Sequence, residues 1–103
     1  MKIKIINATP HPINIIGGET IPVSGISIRL KSDTVACEPI GDIPTTTTKF
    51  GKCEGLPIYQ YGTFYIVSQL VKSANPLRSD LLVPAEIVRD SEGKIVGCKS
   101  LGR

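Results

Sequence analysis

Apolar residues recur along this chain in short bursts, most at the two-residue spacing of a strand with one buried face. Ile26, Ile28 and Leu30 alternate with Ser27, Arg29 and Lys31, the clearest run of this kind. Lys2–Ile6 and Ile13–Ile16 read as two more strands. The turn Asn7–Pro12 between them predicts a hairpin, because Pro10 and Pro12 fix their own φ and push the residue before each to extended geometry. Glu19–Gly25 holds Pro22 and a Ser-Gly pair and reads as a loop or irregular edge. Ser32-Asp33 is turn chemistry, which predicts that Thr34–Glu38 pairs back onto residues 26–31. Pro39–Pro57 is polar and broken by prolines and glycines. Within it Thr45–Phe50 is rich in β-branched side chains and predicts an exposed or edge strand. Gly51–Tyr61 predicts a flexible bridge.

Gly62–Pro84 carries the densest apolar run and the one helical segment. Thr63–Val67 predicts a buried strand. Ser68 can cap the helix that follows by accepting a backbone N–H, and Asn75-Pro76 stops it. Helical spacing puts Leu70, Val71 and Ala74 on one face, with Gln69 and Lys72 outside it. Leu81–Val83 is the next strand. Ile87–Arg89 and Lys94–Cys98 predict a hairpin over Asp90–Gly93, with Gly93 supplying a positive φ. The fold expected is mainly β, of the α+β kind: a small, mostly antiparallel sheet or partly closed barrel of roughly seven or eight short strands, with one short helix over an opening. The stretch from Val67 to Leu81 is long enough for a crossover, which allows one parallel pair.

Size and composition narrow the class. A chain of 103 residues with 41% hydrophobic and 20% charged residues is a single globular domain. The net charge of +3 comes from scattered basic residues, so no specific nucleic-acid partner is expected. The opening apolar run is too short for a signal peptide, and no stretch approaches the ~18 apolar residues of a spanning helix, so no membrane partner is expected. Cys37, Cys53 and Cys98 are odd in number and widely spaced, which fits reduced thiols in a cytoplasm.

Motifs remove several chemistries. No two of the cysteines and His11 have zinc-ligand spacing, so the cysteines read as small buried side chains. No phosphate loop, dinucleotide fingerprint or nucleophile elbow is present, and no cofactor is expected. His11 is the only histidine. It can contact a ligand or act as a base, or its ring can simply pin the turn. No carboxylate is near it in sequence to orient it as a base. The best constellation lies later. Ser68 opens a helix, where free N–H groups favour an anion, and Lys72 follows one turn on. Arg78 can take a phosphate or carboxylate bidentately, and Asp80 can accept from a ribose or a base edge. Equally, Arg78 and Asp80 can pair with each other and order their loop. Tyr59, Tyr61, Phe64 and Tyr65 can stack on a base, although strand alternation requires Phe64 or Tyr65 in the core.

The motif Asn7-Ala8-Thr9-Pro10-His11-Pro12 resembles the N-x-T-P-H opening of a family of small, uncharacterised phage and prophage proteins. The likeness continues through Phe50-Gly51, Gly55-Leu56-Pro57 and Gly62–Ser68. It extends to the R-x-D-L-x-x-P pattern at Arg78–Pro84, to Val88-Arg89-Asp90, and to Gly93 and Ile95–Cys98. Ala8 stands where the family usually has leucine. The resemblance implies a setting in the cytoplasm of an infected host. It is similar in profile to anti-defence proteins, some of which sequester cyclic nucleotides or ADP-ribose derivatives. The leading expectation is therefore a non-enzymatic binder of an anionic, nucleotide-like ligand. Ser68, Lys72 and Arg78 would meet phosphate, Asn7, Thr9 and His11 phosphate or ribose, and Asp80 a polar edge. A homo-oligomer would let so small a chain enclose a pocket. Two alternatives stand: a protein-interaction module using the strand edge at Thr45–Lys49, and a small hydrolase using His11.

Overall fold

The computed structural model describes residues 2–103. Its strands are β1 (Lys4–Asn7), β2 (Ile13–Asn14), β3 (Thr20–Ile21), β4 (Arg29–Ile40), β5 (Ile43–Glu54), β6 (Thr63–Ile66), β7 (Leu81–Arg89) and β8 (Ile95–Gly102). The one helix, α1, is Gln69–Ala74. The protein is mainly β with one short helix, as expected. The β-structure curls as part of a barrel, but its strands do not form a single sheet or a closed barrel. They divide into a mixed sheet in the order β1-β6-β7-β8, a small ladder β2-β3, and a long ribbon β4-β5.

The mixed sheet forms the body. β6 pairs in parallel with β1 on one side and with β7 on the other, and β7 pairs antiparallel with β8. The crossover from β6 through α1 makes the parallel β6–β7 pair, as the spacing allowed. The hairpin expected between β1 and residues 13–16 does not form. The β1 backbone bonds β6 instead, and β2 turns back onto β3. The reason is burial: β6 is the most enclosed strand, and pairing with it places Asn7 and Ala8 inside. Tyr65, Val67, Val71, Leu81 and Ala8 make the core cluster, with Ile6, Ile26, Ile28, Cys53, Leu56 and Val83 packed around it.

Two details tie this body together. β2 lies across β8, with Asn14 Nδ2 donating to the Val96 carbonyl and the Ile16 N–H to the Cys98 carbonyl. That crossing needs a glycine: a Cβ on Gly97 would stand 2.6 Å from the Asn14 carbonyl oxygen. The alternation of residues 26–31 holds in burial. Ile26, Ile28 and Leu30 are half-buried and their neighbours exposed, although the strand ladder starts only at Arg29.

The ribbon departs most from expectation. Ser32-Asp33 is no turn: Ser32 pairs with Phe50 and Asp33 with Lys49, so β4 runs straight on through Thr34–Glu38. Gly51–Glu54, expected as a bridge, belongs to β5. The reversal is at Gly41-Asp42, between the paired Ile40 and Ile43, with Gly41 at φ +60°. A two-residue loop with glycine first is the turn a hairpin favours, because a positive φ there matches strand twist. Pro39 causes no break because it sits where the register shifts between Cys37 and Ile40, a place that tolerates a missing N–H. The Thr45 hydroxyl donates to the Glu38 carbonyl at the same place.

This ribbon stretches the molecule to 56 × 39 × 21 Å. The radius of gyration is 16.8 Å, against about 13 Å for a compact domain of this length. Nearly every residue of β4 and β5 is exposed.

Candidate functional site

The expected site residues fall into three groups. The first is the turn after β1. Asn7 is 1% exposed, and its amide is fully used. Its Nδ2 donates to the His11 carbonyl at 2.7 Å and the Ile21 carbonyl at 3.2 Å. Its Oδ1 accepts from the Thr9 N–H at 2.9 Å and lies 2.6 Å from the Thr9 hydroxyl. That hydroxyl also reaches the His11 carbonyl at 2.9 Å. Asparagine followed by a residue whose N–H returns to its side chain is a common local turn. Here the same amide also ties the turn to β3. Ser24 adds a further link, donating through its N–H and its hydroxyl to the Asn7 carbonyl. His11 contributes its carbonyl to this knot, not its ring; the ring is exposed and makes no hydrogen bond among the described residues. Asn7, Thr9 and His11 are thus brought together, by backbone and turn chemistry.

The second group is on the helix. Ser68 caps α1 as expected, its hydroxyl accepting from the Val71 N–H at 3.3 Å. Lys72 lies one turn on and makes no ion pair among the described residues. The expected apolar face is corrected: Val71 is buried, but Leu70 and Ala74 are exposed. A helix of six residues docks only one of its turns against the sheet. Asn75 closes it by donating from Nδ2 to the Val71 carbonyl.

The third group is the loop before β7. Arg78 grips Asp80 with two parallel bonds of 2.8 Å, from Nε and from one terminal nitrogen, and that nitrogen also reaches the Pro57 carbonyl at 2.8 Å. The Asp80 side chain is 1% exposed and that of Arg78 23%. The bond to Arg78 holds the Asp80 carboxyl below the ordinary carboxylate range, against a desolvation that pushes the other way. The same bond raises the Arg78 guanidinium further. The pair orders the loop and pins it to Pro57. No hydrogen bond of the second terminal nitrogen, Nη1, occurs among the described residues.

β6 separates the first group from the third. The Ala8 N–H bonds the Ile66 carbonyl on one side, and the Tyr65 N–H bonds the Asp80 carbonyl on the other. Three open clefts mark the surface. One of about 390 Å³ lies between Ala8–Pro10 and residues 23–28, one of about 240 Å³ between β2 and the β7–β8 hairpin, and one of about 360 Å³ between α1 and the ribbon base at Leu30, Phe50 and Gly51. Of the expected ligand residues only Thr9 lines any of them.

The remaining expectations have definite places. Tyr65 is in the core and Phe64 half-buried under Arg103, whereas Tyr59 and Tyr61 are exposed. Cys98 is buried and Cys53 half-buried, but Cys37 is exposed on the ribbon, so the cysteines are not uniformly buried. Among the described residues no three of His, Cys, Asp and Glu gather as a metal site would require. No helix among them is long and apolar enough to cross a membrane.

What the sequence reading missed is the ribbon as a unit. Its signal was the symmetric Ile-Gly-Asp-Ile at residues 40–43, a hairpin turn between two β-prone runs. The Pro57 carbonyl that holds Arg78 left no such trace. Comparison with protein-family models, with curated proteins and with solved structures gave no match.

Proposed function

We propose that this chain is a non-enzymatic binding protein, and that its binding element is the β4–β5 ribbon, presented to a protein partner. The observation that supports this reading is a two-stranded arm with both faces and both edges open to solvent. An isolated two-stranded ribbon is marginal in water unless something packs on it. From Thr34 to Cys37 and from Ile43 to Thr48 it carries no charge. Natural edge strands are normally protected from pairing by lysines, inward charges or proline, and Thr34–Cys37 and Thr45–Thr48 have none of these. Its open N–H and C=O groups can therefore add to a partner's sheet.

A photocrosslinking side chain at Thr46, in cells expressing the full chain, tests the reading. Discrete adducts are the expected result. Recovery of uncrosslinked chain alone overturns it.

A second reading rests on Arg78: a binder of a small anionic, nucleotide-like molecule, sequestering an infection signal as the phage resemblance implies. Asp80 and Pro57 hold the guanidinium rigidly and leave Nη1 for a ligand oxygen. Lys72 adds positive charge and Ser68 a hydroxyl on the helix, whereas Asn7, Thr9 and His11 lie across β6 from Arg78. The arm is favoured because Arg78 already has its carboxylate. Calorimetry against cyclic nucleotides and ADP-ribose species decides the ligand reading, and no heat from any of them removes it.

A further inference from the structure

The chain exposes 7539 Å². A compact monomer of 11.1 kDa exposes about 5,700 Å². The surplus, roughly 1,800 Å², is in the range that one subunit gives up in an obligate homo-oligomeric interface. The interior is correspondingly thin. Among the described residues the fully buried hydrophobics come from the body, and none from β4 or β5.

The arm and the body also carry matching surfaces. On the arm, Ile40 and Ile43 at the tip are 74% and 68% exposed, with Val35 and Phe50 also open along its length. Strand alternation puts Thr34, Ala36, Thr46 and Thr48 on one face and Val35, Cys37, Thr45 and Thr47 on the other. Neither set contains a charge, so along these eight residues no like charges face an identical chain. On the body, the open cleft between β2 and the β7–β8 hairpin is bordered by Ile87, Ile95 and Val96, all exposed. An uncharged, threonine-rich arm with an apolar tip and an apolar recess therefore occur on the same molecule.

We infer that the β4–β5 arm is a self-association element, and that its uncharged middle seats on the body of a second copy of this chain. The inference rests on the binding-arm reading above and names the first partner of that arm. Contact through an arm buries the surface a monomer leaves open, and it covers the unprotected edges of Thr34–Cys37 and Thr45–Thr48. It also encloses clefts that are open in the single chain.

Sedimentation of the purified full chain at micromolar concentration tests this. The expected mass is at least twice 11.1 kDa, in whole multiples of it. Thr46→Lys with Thr48→Lys, which put two charges on one face of the arm, should reduce the mass to that of one chain with the far-ultraviolet circular dichroism unchanged. Should that pair fail to fold, Thr47→Glu on the opposite face makes the same test. A wild-type chain that sediments as a monomer overturns the inference, and so does an assembly that survives both variants. The Thr46 crosslink separates this failure from that of the parent reading. Adducts at multiples of 11.1 kDa support self-association. Adducts only at other masses overturn it and leave the binding arm standing, whereas no adduct removes both.

Discussion

The body and the arm use the same kind of residue for opposite ends. β6 is Thr-Phe-Tyr-Ile and all of it but Phe64 is buried; β5 is as β-prone, with four threonines in a row, and almost all of it is exposed. What separates them is the neighbours. β6 has a strand on each side and a helix connected at its end, so its side chains are removed from water. β5 has one partner strand, and that strand is equally bare. Strand propensity is thus no measure of burial: it reports fit to a pleated surface, and the surroundings decide what the surface does.

The comparison predicts where substitutions hurt. The largest effect is expected for Arg78→Ala. It leaves a nearly inaccessible Asp80 carboxylate without its partner and should cost about 3 kcal/mol, discounted from the fully buried case because Arg78 itself reaches solvent. Urea unfolding followed by circular dichroism measures this, and a shift under ~1 kcal/mol would show that the pair is ornamental. The variant also bears on the ligand reading, since loss of binding by an unstable chain proves little. Arg78→Lys, which keeps a charge beside Asp80 but loses the two-pronged grip, is the better probe.

Next is Asn7→Asp. It replaces a donor that faces two carbonyl oxygens by an acceptor, and about 2–3 kcal/mol should be lost at neutral pH. A variant as stable as the parent would mean that the turn is held by its prolines alone.

Stability should also fall in acid through Asp80. Its folded pKa lies below its unfolded value, so the stabilisation is fully present above about pH 4. It is lost as pH falls through the depressed folded value. The urea midpoint of the wild type should drop more steeply between neutrality and pH 3 than that of Asp80→Asn. Parallel curves for the two would contradict this assignment.

The smallest effect is expected on the arm. Val35→Thr should change the body's unfolding free energy by less than ~0.5 kcal/mol when measured on dilute, dissociated chains. A larger loss there would mean that the arm supports the body, and the division into two regions would fail.

Several local features were legible because they depend on local physics. Ser68 capped its helix, Asn75 ended it, and Gly93 turned the β7–β8 hairpin. The half-burial of Ile26, Ile28 and Leu30 followed from alternation. Long-range choices were not legible. Nothing near Lys4–Asn7 says that its partner is β6 rather than β2, because that preference arises from the core both strands then enclose. Ser32-Asp33 misled because an exposed cross-strand pair, Asp33 with Lys49, needs the same polar residues as a turn. At the candidate site, pairing of Arg78 with Asp80 was foreseen as one of two outcomes. The carbonyl knot around Asn7 was not, because its acceptors are backbone groups that no side-chain pattern reveals.

The parallel pairing of β1 with β6 has a consequence in time. The two strands are separated by about sixty residues of chain, and β7 lies further still. Ends that far apart meet late, after the entropy of closing a long loop has been overcome. The β4–β5 hairpin closes through a two-residue loop and can zip within microseconds. On the ribosome it emerges whole before β6 does. The newborn chain therefore shows its uncharged strand edges while its first strand still lacks a partner. An arm that binds a second copy would then bring nascent chains together before either has a core.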